Sequence, residues 1–136
     1  MSIRDRVDDG RALWQAGRPE GALLVACVAV AAAARHRFPG MKDRDAFISL
    51  LRLVRTIPVM EVEFRGKAVA IEALLYQWVR CELAHTATLP IDIGWIGTPG
   101  RDDLVIRAGG APEFRLLLSE GWIGFLLTVA ESFAEA

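Results

Sequence analysis

Asparagine is absent from this chain of 136 residues, and lysine occurs only at Lys42 and Lys67 among 16 basic residues. Its positive charge is therefore almost all arginine, the cation that suits paired contacts with carboxylates and phosphates. The net charge is −1, which excludes capture of nucleic acid by the field of the whole molecule; any nucleic-acid site must be local. Histidine is limited to His36 and His85, and cysteine to Cys27 and Cys81. No C-x-x-C pair and no zinc-ligand spacing exist, so no metal site or cofactor is expected. The two cysteines read as reduced core residues of a cytoplasmic protein. There is no G-x-G-x-x-G or Walker pattern, so Gly94-Trp95-Ile96-Gly97 and Gly109-Gly110 are not assigned as phosphate cradles. Internal repeats and low-complexity linkers are missing as well.

What is present is apolar residue, 53 % of the chain, with a mean hydropathy of +0.30. That supply suits a real core and a single domain over residues 1–136. The stretch Ala22 to Ala34 contains no charge, hydroxyl or amide. A helix apolar on every side has to be surrounded by other elements, so this one is expected at the centre. At 13 residues the stretch falls short of the ~20 that a bilayer span needs, and no membrane is expected. It imitates the apolar part of a secretory leader, but Asp5, Asp8, Asp9 and Glu20 precede it where a leader is basic.

Helix signals are strong. Ser2 caps a first helix from about Ile3 to Ala16, with Asp5 in its first turn, and Gly17-Arg18-Pro19 ends it. Pro19 and Glu20 open the central helix and Arg35-His36-Arg37 close it with cations at the negative end of the dipole. Asp43 starts a third helix to about Arg55, with Phe47, Leu50, Leu51 and Val54 on one face. Ile57 to Gly66 partly alternates and predicts an extended segment, with Glu61 and Glu63 on its solvent side. A fourth helix covers Ala70 to Thr86. Three short strands follow, at Ile91–Ile96, Leu104–Ala108 and Glu113–Leu118, joined by turns at Gly97-Thr98-Pro99-Gly100 and Gly109-Gly110. They predict a small antiparallel meander. Ser119 caps the last helix, Glu120 to about Ala134. Trp95 and Trp122 read as core residues rather than exposed partner anchors, and the apolar last helix suits a dimer interface.

The fourth helix carries the run Arg80-Cys81-Glu82-Leu83-Ala84-His85. Its Arg-x-x-x-x-His spacing near a helix end, in a small helical chain, resembles the HEPN family (higher eukaryotes and prokaryotes nucleotide-binding). Cys81 stands where the family pattern usually has a polar residue. The resemblance implies a mainly α fold: a small HEPN-like helical bundle with a short antiparallel β insertion before the C-terminal helix. It also implies a homodimer whose two motifs face one cleft, and a metal-independent ribonuclease or RNA-binding protein of toxin or defence type. The partners implied are RNA and a cognate antitoxin protein.

The chemistry asks for these residue types. In ribonucleolytic cleavage the RNA 2′-hydroxyl attacks its own phosphorus, which an imidazole can assist by moving the proton. A fixed guanidinium stabilises the charge that grows on the phosphoryl oxygens. At about 100° per residue Arg80 and His85 lie roughly 140° apart around the axis. Glu82, three residues before His85, is the candidate that orients its ring. The plainer alternative pairs Glu82 with His85 at a dimer seam and leaves Arg80 a solvated charge, in a non-catalytic homodimeric interaction module. A binder of a nucleotide or small molecule near Arg80 is a third reading. Glu82-x-x-His85 is also half of a di-iron motif, but no second Glu-x-x-His accompanies it. His36, between two arginines, reads as a helix-end dipole partner.

Overall fold

The helix opened by Pro19 and closed by Arg37 is the one that the other helices touch. The computed structural model describes residues 2–54, 61–97, 103–108 and 115–134. Helix α1 (Ile3–Gln15) begins with a capping box, in which Ser2 and Asp5 exchange side-chain bonds with each other's backbone N–H. Helix α2 (Pro19–Arg37) follows after a short turn containing Gly17 at φ +75°. It packs against α1, α3 (Asp43–Leu53) and α6 (Gly121–Ser132). It also touches a helical rod made of α4 (Ile71–Leu74), a π-helical segment (Leu75–Arg80) and α5 (Cys81–Thr86).

Ala22, Leu23, Ala26, Cys27, Ala29, Val30 and Ala33 of α2 are fully enclosed, so the expected central helix is present. Its 19 residues, however, make it longer than the apolar stretch alone suggests. By length and composition α2 would serve to cross a membrane, a test that a core helix also passes. Nor is it enclosed all round. Leu24, Val25 and Ala31 are half-buried and Val28 is 42 % exposed, leaving an apolar strip at the surface. Four neighbours cover only part of the circumference of a helix.

The expected fold class requires correction. The described structure is 61 % helical, but five strands in two small sheets make it a mixed α/β fold, mainly helical, and not a clean helical bundle. The first sheet was read only in part. Strand β1 (Glu61–Phe64) pairs antiparallel with β2 (Lys67–Ala70), of which only Ala70 carries an expectation, as the start of the fourth helix. Arg65 and Gly66 are the hairpin turn, both at positive φ (53° and 79°). Glu61 and Glu63 are exposed on β1, as the alternation predicts.

The second sheet is not a meander. Its order is β3 (Ile93–Trp95), β5 (Leu116–Leu118), β4 (Ile106–Ala108), and β3 runs parallel to β5. The last strand enters between the first two, which places Leu116 and Leu118 in the core. Ser119 does not cap α6, whose N-cap is Glu120. Instead its buried hydroxyl donates to the Asp103 carbonyl and accepts from the Val105 N–H, which ties residues 103–105 to α6. Trp122 is buried and its Nε1 donates to the Val105 carbonyl at 3.1 Å, whereas Trp95 is half-buried. The expected helix end at Arg55, extended residues 57–60, turns at 98–100 and 109–110 and strand start at 113–114 lie outside the described residues.

Candidate functional site

The rod from Ile71 to Thr86 owes its direction to burial. Ile71, Leu74, Leu75, Val79 and Leu83 point inward, and Trp78 is half-buried over β1. Glu72 is buried too, and the Arg52 Nε of α3 donates to it at 2.8 Å. Residues 75–80 take the π form, and the Cys81 N–H reaches back to the Tyr76 carbonyl. Wide turns of this kind recur at functional sites. Arg80 ends that segment.

Arg80 is half-buried and held by its own helix. Its guanidinium carbon lies 5.3 Å from the centre of the Tyr76 ring, and Nη1 is 3.7 Å from the Cys81 Sγ. The Tyr76 ring meets Phe47 of α3 edge-on at 5.3 Å, which fixes the platform. Burial raises the pKa of the Tyr76 hydroxyl, with Cys81 adding to the rise and Arg80 opposing it. Behind them Cys27 is fully enclosed. Burial pushes its thiol up to about 12, while the Arg80 charge works the other way. Cys81 is half-buried rather than buried, which departs from the expected pair of core cysteines; both are free thiols.

His85 lies in the last turn of α5 and is exposed. The helix ends just beyond it, where Ala87 adopts φ +65° and Thr86 Oγ1 donates to the Glu82 and Thr88 carbonyls. Among the described residues, no hydrogen bond or ion pair joins Arg80, Glu82 and His85 to one another. Glu82 is half-buried, and its charge acts on Arg65. The expected carboxylate–imidazole pair is therefore not formed within one protomer. Nor is Arg80 a solvated charge, because Tyr76 and Cys81 shield it.

Arg65 was missed as part of this region. Its guanidinium stacks on Trp78 at 4.2 Å and on Phe64 at 4.9 Å. It also donates twice to Asp92, at 2.7 and 2.9 Å. The β1–β2 hairpin, the π segment and the approach to β3 meet on this one side chain. Phe64-Arg65-Gly66 was read as the end of a strand, and a cation in a turn beside an aromatic residue was the available signal.

The arrangement offers a fixed guanidinium, an exposed imidazole one turn and a half further on, and an aromatic face beneath the guanidinium. Such groups can hold a phosphate and move a proton. No family model matches the chain, and neither does any curated protein or solved structure.

Proposed function

We propose that this protein is a metal-independent ribonuclease of toxin or defence type that works in the cytoplasm as a homodimer. Arg80 holds the scissile phosphate, and His85 moves the proton. The observation that carries the reading is the pairing of a shielded, ring-backed Arg80 with an exposed His85 at the end of the same rod. In the reaction a base takes the 2′-hydroxyl proton and the 2′-oxygen bonds to phosphorus. The 5′-oxygen then leaves and takes a proton, giving a 2′,3′-cyclic phosphate and a 5′-hydroxyl. Arg80 and His85 point to different sides of the rod, so two copies facing one cleft supply the pair. The apolar strip at Val28 supports assembly with a second copy. Glu82, turned towards Arg65, is given no step.

The test is cleavage of total RNA in EDTA by the purified protein. Cleavage is expected, with a loss of about a hundredfold or more in His85→Ala and in Arg80→Ala. His85 is exposed, so its substitution is expected to change stability by less than ~0.5 kcal/mol. Expression toxicity relieved by His85→Ala accompanies this result, and a cognate antitoxin protein is then the expected partner. Intact RNA in EDTA overturns the proposal. A second reading, a non-catalytic dimeric interaction module, is favoured by the contact between Arg80 and its own Tyr76 and Cys81. A stable dimer that neither cleaves nor binds RNA would select it.

A further inference from the structure

Helices α1 and α2 form a hairpin, which sets the first turn of α1 beside the last turn of α2. Between these ends and Ala134 lies a cavity of about 560 Å³, lined also by Ser2, Ile3, Arg4, Arg6, Ala32 and His36. Three of the lining side chains are cationic types, contributed by two helices. The nearby carboxylates already have partners, and one of these partners, Arg6, belongs to the lining itself, which leaves Arg4 and His36 as the cationic types that the site chiefly relies on. Asp5 accepts from the Ser2 N–H at 3.0 Å, and this capping lowers its pKa. Asp9 lies 3.0 Å from Arg6 Nη2, and Glu131 takes two bonds from Arg11, at 2.9 and 3.2 Å. Among the described residues no carboxylate lines the cavity.

We propose that this cavity binds the phosphate group of an organic phosphate of nucleotide type. Guanidinium groups present N–H pairs that match phosphate oxygens, and the His36 ring adds a further donor. Ser2 Oγ accepts the Asp5 N–H at 3.2 Å, which leaves its own proton free to donate. Ile3, Ala32 and Ala134 supply apolar wall for the rest of the ligand. The volume falls in the range of about 300–1,000 Å³ that small-molecule sites occupy. The proposal uses neither Arg80 nor His85, and it stands whether or not RNA is cut.

The experiment is calorimetric titration at low salt with AMP, adenosine and inorganic phosphate. A short oligoribonucleotide is titrated with and without a 5′-phosphate. AMP is expected to saturate the protein and adenosine to show no binding. The exposed pair Arg4→Gln and His36→Gln together weakens AMP by roughly tenfold or more. A control, Lys42→Gln with Arg44→Gln, removes two exposed cations elsewhere and leaves the affinity unchanged. If the double variant melts at a lower temperature, the two single variants carry the comparison. Equal binding of AMP and the phosphorylated oligonucleotide points to a free nucleotide as ligand; preference for the latter points to an RNA end. Absence of saturable AMP and oligonucleotide binding overturns the site. So does equal affinity with and without the phosphate, or equal loss in the control.

Discussion

Arg65 sits at φ +53°, a backbone region that costs a side chain roughly 1–2 kcal/mol and that hairpins usually give to asparagine or glycine. The chain has no asparagine to offer. Arginine is retained there by what its guanidinium reaches: two aromatic faces and both oxygens of Asp92. The Arg65 hydrogen bond is also the main reason the Asp92 carboxyl titrates below its ordinary value, against the opposing effect of burial. A carboxyl whose pKa is depressed by folding stabilises the fold above its unfolded pKa and loses that effect as pH falls through the folded value. Asp92→Asn is therefore expected to cost about 1 kcal/mol near pH 7, a figure reduced because Arg65 is half-exposed. The difference from wild type should shrink as pH falls below about 4, because the unfolded carboxyl takes up its proton before the native one, whose pKa lies lower. Urea melts at several pH values check this; a difference constant with pH would refute it. Single residues were unevenly legible. The Arg80–His85 spacing is visible in the sequence, but the Tyr76 platform and the Arg65 clamp depend on contacts between elements far apart in the chain.

Helices were the readable elements because their ends carry chemistry: Ser2 with Asp5, Pro19 with Glu20, and Arg35-His36-Arg37 all mark ends found within a residue or so. Strands of three or four residues carry too few side chains to show a period. The pairing of β3 with β5 depends on a partner more than twenty residues away. Lys67–Ala70 was hidden because an alanine-rich strand that runs straight into a helix looks like the first turn of that helix. The joint between α1 and α6 makes a sharper prediction. A side-chain carbon at Gly124 would lie 2.9 Å from the Trp14 ring. That ring is held by its Nε1 bond to Glu120 at 2.8 Å, so it has little room to yield. Gly124→Val is expected to destabilise the fold by about 1–3 kcal/mol despite removing a helix-weakening glycine. Chemical denaturation measures it, and a neutral result would mean that Trp14 is free to swing away.

On the scale of the whole molecule, the central position of α2 was legible because no other stretch is so long without a polar group. The strip it leaves uncovered was not, since coverage depends on how many neighbours the fold supplies. If that strip joins two copies, Val28→Asp should convert a dimer to a monomer at micromolar concentration, and the melting temperature of the variant should lose the concentration dependence that a dimer shows. Analytical ultracentrifugation decides; a monomeric wild type removes the shared-cleft arrangement. The π segment has a further consequence for how such a surface can change over generations. Because the Cys81 amide is bonded five residues back instead of four, the rod carries one surplus residue. Losing a single codon within residues 75–80 would restore regular winding and leave the residues after it on the faces they now occupy, because the wide turn has already absorbed the extra one. Ile71 and Leu74 before the turn and Leu83 after it would all keep their inward seats, so the rod tolerates a change of length there that no point substitution makes.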